Sequence, residues 1–109
     1  MPAFTNRTDY TTARQALTSA GYQPLTFPRQ ACIGSPEICE AYPEIVDCSG
    51  TGLNPCRFAF RAPDGGFIVG VAQGESLDHM TLTGIAVANA EDSQVVRNLL
   101  AGRPALADD

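Results

Sequence analysis

The sequence contains no lysine and no tryptophan, and it has a single histidine. All 7 basic residues are therefore arginine, against 12 acidic residues, and the formal net charge is −5. Because nucleic-acid binding requires a basic surface, this balance argues against a nucleic-acid partner. The aromatic residues are 5 Phe and 3 Tyr, so the core must be built largely from Val, Ile, Leu and Ala.

Long apolar runs are also missing. No stretch reaches the roughly 18 apolar residues that a membrane helix needs, so we expect no membrane insertion. The N-terminal segment MPAFTNRTDY lacks the charged and apolar regions of a signal peptide. We therefore expect either a cytoplasmic protein or an exported one whose signal peptide has been removed. A chain of 109 residues has the size of one domain, which we predict over residues 1–104, followed by a frayed tail at 105–109.

Four cysteines lie close together in the sequence, at Cys32, Cys39, Cys48 and Cys56. Structural zinc sites usually pair ligands across two to four residues, and none of these intervals is that short. We favour two disulfides, Cys32–Cys39 and Cys48–Cys56, because each would close a short loop that contains glycine and proline. The crossed pairings, a zinc site and reduced thiols remain alternatives. Disulfides would place the protein in the periplasm or outside the cell.

Helical spacing of apolar residues predicts helices near both ends of the chain. The first is capped by Asp9 and ends at Gly21, where a residue with positive φ is needed. The last begins at Asn89 or Ala90 and ends before Gly102. A short helix between them begins at Ser35-Pro36, with Ser35 as its cap.

A β-hairpin is the clearest strand signal. Cys56, Phe58 and Phe60 alternate with Arg57, Ala59 and Arg61, and Pro63-Asp64-Gly65-Gly66 forms the turn. We predict that Phe58, Phe60, Val69 and Val71 share the buried face, and that a third strand spans residues 77–88. The expected fold is α+β: an antiparallel β-meander of three or four strands packed with an N-terminal and a C-terminal helix. Both helices are expected on one face, with two disulfides in the chain.

Residues with catalytic chemistry do not form a recognisable pattern. Ser49-Gly50-Thr51-Gly52 lacks the lysine and the following helix of a phosphate-binding loop. Asp78 and His79 are neighbours in a predicted strand and would point to opposite faces, so His79 is expected at the surface. We predict no catalytic residue, no metal and no cofactor. The acidic residues around the short helix are interpreted as a solvated face; they are Glu37, Glu40, Glu44 and Asp47.

The Arg57/Arg61 face of the hairpin is the predicted partner-binding surface. We expect Ile68 on the corresponding face of the return strand, where it would add apolar area beside the two arginines. Flat surfaces that combine arginine with apolar residues are typical of protein interfaces. The face is predicted to pack on a second copy, on an acidic partner, or under the C-terminal helix.

The cysteine segment resembles a group of small uncharacterised exported bacterial proteins. Their shared pattern is carried here by Ala20-Gly21-Tyr22, Cys32, Cys39, Tyr42-Pro43-Glu44, Cys48-Ser49-Gly50-Thr51-Gly52, Cys56-Arg57-Phe58-Ala59-Phe60 and Gly74-Glu75. The resemblance covers residues from about 8 to 75. It implies export and disulfides, and it brings no activity with it.

These observations predict a small disulfide-stapled periplasmic or secreted protein that is not an enzyme. A protein-binding, inhibitor or accessory role is the leading interpretation. The alternatives are a cytosolic protein whose cysteines bind zinc or stay reduced, and, third, a small hydrolase.

Overall fold

The computed structural model describes residues 2–5, 7–28, 36–49, 52–74 and 79–105. It contains three helices and five strands in a mixed α+β order. The helices are α1 (Tyr10–Ser19), α2 (Pro36–Ala41) and α3 (Ala90–Leu100). The strands are β1 (Gln23–Pro24), β2 (Ile45–Cys48), β3 (Pro55–Arg61), β4 (Phe67–Gln73) and β5 (Thr81–Val87). The predicted α+β class and antiparallel sheet are confirmed.

The helix ends follow the predicted caps. The Asp9 carboxylate accepts from the backbone N–H of Thr12 at 3.4 Å, and Gly21 follows α1 with a φ of 91°. Asn89 caps α3 by accepting from the N–H of Asp92 at 2.7 Å. Ser35, the predicted cap of α2, lies outside the described residues. None of the helices in the described part of the chain has the length and apolar character of a membrane span.

All strand pairs in the sheet are antiparallel. One side of β3 pairs with β2 at its start and with β1 at its end, and the other side pairs with β4, which in turn pairs with β5. The predicted disulfide Cys48–Cys56 joins directly opposite residues of β2 and β3, with their Cα atoms 4.0 Å apart. A loop of this size stabilises the fold by about 2.5 kcal/mol in the chain-entropy model. Cys39 is not a free thiol, and its predicted partner Cys32 lies outside the described residues.

Helices cover both faces of the sheet. Phe58 and Phe60 pack with Tyr10, Leu17 and other residues of the α1 side. Because side chains alternate along a strand, Ala59 lies on the opposite face, where it packs with Phe67 of β4 and Val96 of α3. The predicted arrangement with both terminal helices on one face is therefore wrong: the sheet lies between α1 and α3.

The register of the hairpin also differs from the prediction. Phe60 pairs with Ile68 and Phe58 pairs with Gly70, so Ile68 and Gly70 share the α1 face with the two phenylalanines. Val69 and Val71 lie on the α3 face instead. The reason is the hairpin loop, which pairs Arg61 directly with Phe67 and so places these two residues on the same face.

One hydrogen bond lies at the predicted C-terminal limit of the domain. The predicted frayed tail begins at Ala105, whose carbonyl accepts a hydrogen bond from the buried Asn98 side chain at 3.2 Å. Residues 106–109 lie outside the described residues.

Candidate functional site

The α3 side of the sheet is only partly covered by its helix. Val96, Leu99 and Leu100 of α3 pack over Ala59 and Phe67, at the hairpin end of the sheet. Beside the helix, an open depression remains between α3 and the middle of β3 and β4. We call it the α3 groove and define it by Arg57, Val69, Val71, Val95, Val96 and Leu99.

The α3 groove has a volume of about 220 Å³. Its floor is formed by β3 and β4, where Val69 and Val71 are half-buried, and its wall by Val95 and Leu99 of α3. The groove exists because consecutive turns of α3 direct these apolar residues along one side of the helix. Most of the side chains that line the groove are aliphatic, and its charged members are Arg57 and Asp92. The groove is therefore suited to an apolar group.

Arg57 lines one rim of the groove and forms an ion pair there. The guanidinium of Arg57 donates to the two carboxylate oxygens of Asp47, with distances of 2.8 and 2.6 Å. The hydrogen bond that Arg57 donates to Asp47 raises the pKa of Arg57. Arg57 is thus already neutralised within the chain, and it supplies a polar boundary and not a free positive charge.

Arg61, the second predicted partner residue, belongs to a separate cluster. Its guanidinium lies 5.0 Å from the centre of the Phe67 ring, and that of Arg97 lies 5.8 Å from the same ring. Both contacts are cation–π interactions. The predicted Arg57/Arg61 face is therefore divided by α3 into the groove and this arginine cluster.

Ile68, the third predicted residue of that face, is not there. Its side chain is 1% exposed, and it packs on the α1 side of the sheet against the Phe58 and Phe60 cluster. Its placement on the Arg57/Arg61 face was wrong because Ile68 pairs directly with Phe60, and paired residues share a face.

A buried polar cluster joins α1 to the start of β2, and the sequence interpretation missed it. Glu44 is 0% exposed, although it was predicted on a solvated acidic face. Its carboxylate accepts from the Tyr10 hydroxyl at 2.7 Å and from Arg14 Nε and Nη2 at 2.7 and 3.2 Å. Burial and the adjacent Glu44 charge raise the pKa of Tyr10, and the hydrogen bond to Glu44 raises that of Arg14.

The buried cluster is fully satisfied. Among the described residues, every buried side-chain nitrogen or oxygen has a hydrogen-bond partner. Tyr42 closes the cluster from outside: its ring stacks edge-on against Tyr10 at 5.1 Å, and its hydroxyl lies 3.0 Å from the Thr11 hydroxyl. These contacts fix α1 against the β2 start. The signal available in the sequence was an acidic residue, Glu44, that could pair with the basic Arg14 of the predicted first helix.

The other residues with chemical potential lie apart. His79 is exposed, as predicted, just before Met80. The sulfur atoms of Cys48 and Cys56 are bonded to each other in the disulfide, so neither is available as a thiolate ligand. In the described ranges, no three His, Cys, Asp or Glu side chains are grouped in a way that could hold a metal ion.

Similarity to known proteins adds nothing to this geometry, because the chain matches no protein-family model, no curated protein and no solved structure.

Proposed function

We propose that this chain is an exported protein-binding module that receives one apolar side chain of another protein in the α3 groove. The observation that carries the proposal is the groove itself, an apolar depression on the predicted partner face that α3 leaves open. Interfaces commonly depend on one or two apolar anchors that insert into a pocket and are surrounded by polar contacts. The Arg57–Asp47 pair provides such a polar rim.

The size of the groove favours a side chain over a whole small molecule. Ligand pockets usually span about 300–1,000 Å³, and this groove has about 220 Å³. A cavity of about 150 Å³ with apolar walls holds one benzene molecule. The groove therefore fits one Leu, Ile, Met or Phe side chain, and it leaves no room for the rest of a drug-sized ligand.

Rigid walls support the same proposal. The groove floor is the centre of the sheet, where β3 pairs with β4 along its whole length, and the Cys48–Cys56 bond fixes β2 beside it. A preformed pocket avoids the entropy cost of ordering on binding. The disulfide is compatible with an oxidising compartment, which is why we place the module in the periplasm or outside the cell.

The direct test is a titration with N-acetyl-leucinamide, which presents one leucine side chain without charge. We expect the methyl resonances of Val69, Val71 and Val95 to shift at millimolar probe. The Val95→Trp variant fills the groove and should abolish the shifts of Val69 and Val71, whose methyl groups remain observable in the variant. Ala90→Trp is the matched control, because Ala90 is exposed on the same helix and does not line the groove.

Two results would contradict the proposal. The methyl groups of Val69 and Val71 could fail to respond to the probe while the protein remains folded. Alternatively, their response could persist in Val95→Trp with the same affinity as in Ala90→Trp. Circular dichroism of both variants confirms that the fold is retained, so either result counts against the groove as a binding site.

A further inference from the structure

One edge of the sheet is unpaired in the described part of the chain. β5 is the last strand of the sheet, and only its start is covered on the outer side. There the N–H of Leu82 donates to the carbonyl of Thr8, and the N–H of Tyr10 donates to the carbonyl of Met80. The segment that follows a bulge at Thr83, residues 84–87, has no outer partner among the described residues; we call it the free edge.

The free edge presents the backbone groups of Ile85 and Val87. The N–H of Ala88 donates to the carbonyl of Phe67 on β4, so the backbone N–H of Ala88 points toward β4 and not toward the outer side. In an antiparallel ladder, hydrogen-bonding groups alternate in direction along the strand. Ala86 therefore also bonds toward β4, and Ile85 and Val87 direct their N–H and C=O groups outward.

The opposite edge of the sheet is protected against strand addition and the free edge is not. β1 has only two residues, one of them Pro24, and β2 has four residues with an irregularity between Ile45 and Asp47. Short strands, prolines, bulges and charges are the devices that prevent edge pairing. The sequence of the free edge is Gly-Ile-Ala-Val, which contains no charge and no proline.

Val87 makes the free edge apolar as well as unpaired. Its side chain is 71% exposed, which makes it one of two large hydrophobic residues exposed among the described ones, with Leu53 at 68%. Ile85, on the same face of β5, is half-buried against the α1-side core. An occupant of this edge must therefore be an extended, uncharged strand that can cover Val87 with an apolar side chain.

We propose that the occupant is a second copy of this chain, whose free edge pairs antiparallel about a two-fold axis at Ala86. In this register, Ile85 of each copy lies opposite Val87 of the other, and Ala86 lies opposite itself. The two Ile85–Val87 pairs exchange four backbone hydrogen bonds. Each copy thus supplies the uncharged strand and the apolar residue that the other requires, and no charged side chain of β5 meets its own copy.

The pairing has a consequence for the groove. Antiparallel pairing of identical edge strands places the two-fold axis perpendicular to the sheet, so both copies present α3 on the same face. If the groove binds an anchor as proposed above, the dimer is bivalent toward a partner with two anchors. The pairing itself does not depend on that proposal, and the two are tested by different variants.

Sedimentation equilibrium of the wild-type chain gives the first test. We expect a mass of twice 11.5 kDa at high protein concentration, with dissociation on dilution. Val87→Lys should weaken the dimer about tenfold or more, because it places a charge opposite an apolar side chain. Leu53→Lys is the matched control, since Leu53 is equally exposed and distant in sequence from β5, and it should dimerise like the wild type.

Cross-linking tests the register. Directly opposite residues that do not share hydrogen bonds are close enough for a disulfide, as Cys48 and Cys56 are in this sheet. Ala86→Cys should form a covalent dimer under mild oxidation much faster than Ser19→Cys, which places a thiol on an exposed position of α1. Mass spectrometry of the digested product should identify the bond between the two introduced cysteines.

A monomeric wild-type chain at millimolar concentration would overturn the proposal. So would a dimer that Val87→Lys leaves intact, or cross-linking of Ala86→Cys no faster than that of Ser19→Cys. A monomer that instead binds an extended apolar peptide at β5 would assign the edge to a different partner, and this too would reject the second copy.

Discussion

Glu44 is a buried carboxylate that holds three hydrogen bonds from two residues of α1, Tyr10 and Arg14. Moving such a charge out of water costs several kcal/mol unless its partners compensate. The pair Arg57–Asp47 has similar distances, but the two side chains are 52% and 31% exposed. The hydrogen bonds of the buried Glu44 should therefore contribute more to the free energy of unfolding than those of the exposed Asp47.

Removal of each carboxylate measures this difference. We expect Glu44→Ala to lower the free energy of unfolding by about 3 kcal/mol, because it leaves the buried Tyr10 hydroxyl and Arg14 without their partner. Asp47→Ala should lower it by less than about 1 kcal/mol, since Arg57 can turn to solvent. Urea denaturation of both variants gives the values. Equal losses would contradict a structural role specific to Glu44.

Tyr10 predicts a loss of stability at alkaline pH. Its pKa is raised in the folded state by burial and by the Glu44 charge, so the folded protein retains a proton that the unfolded chain releases above a pH of about 10. The contribution of the Tyr10 phenol to the free energy of unfolding is fully present below that pH and decreases above it. The free energy of unfolding should fall by about 1.4 kcal/mol per pH unit there.

Tyr10→Phe isolates this contribution. The variant loses the hydrogen bond to Glu44 and is less stable at neutral pH, but it has no phenol to ionise. Above about pH 10, the free energy of unfolding of the variant should therefore fall less steeply with pH than that of the wild type. The difference in slope corresponds to about one proton. Parallel slopes in urea denaturation series from pH 9 to 11 would show that Tyr10 is not the group responsible.

The composition of β4 explains why the two faces of this strand were assigned incorrectly from the sequence. Residues 67–72 read Phe-Ile-Val-Gly-Val-Ala, and such a strand has no polar alternation to indicate a face. Continuous apolar strands are typical of sheets that are covered on both sides. Here α1 covers one face of the sheet and α3 covers the other. The partner strand β3 alternates clearly, so its faces were predicted correctly.

Gly70 lies directly opposite Phe58 in the pairing of β3 with β4, and a substitution of Gly70 tests this pairing. A Cβ at this position would overlap Phe58 Cζ and the carbonyl oxygen of Gly84. We expect Gly70→Ala to lower the free energy of unfolding by about 2 kcal/mol or more, as overpacking of a core does.

Gly84 on the adjacent strand is the matched control. A Cβ there would meet nothing within 4 Å, so Gly84→Ala should be neutral or should stabilise the protein by less than about 1 kcal/mol. Thermal and urea denaturation of the two variants make the comparison. If Gly70→Ala is as stable as Gly84→Ala, Phe58 does not pack across Gly70 as described.

Local sequence patterns predicted the helices and strands, whereas the way these elements pack together became known only from the structure. The caps Asp9 and Asn89 and the alternation of β3 are local, and they were recognised. The α3 groove depends on where α3 lies across the sheet, which no local pattern specifies. Glu44 was misplaced for the same reason: its partner Arg14 is 30 residues away along the chain, and charged residues are usually exposed.

The redox state of the whole chain is the property that separates the leading interpretation from its main alternative. Cys48–Cys56 is a disulfide and Cys39 is not a free thiol. We therefore expect the protein purified without reductant to be about 4 Da lighter than the fully reduced chain, as two disulfides require. Unpaired thiols could not fix β2 to β3 covalently, so reduction should also lower the thermal stability.

Intact-mass measurement with and without reductant, together with metal analysis, decides the matter. A loss of about 2 Da would leave Cys48–Cys56 as a single bond and contradict the predicted pairing of Cys32 with Cys39. The full reduced mass with one bound zinc ion per chain would instead favour the metal-binding alternative, because zinc requires deprotonated thiols and cannot share them with a disulfide. An oxidised, zinc-free chain is the result expected of a module that matures in the periplasm or outside the cell.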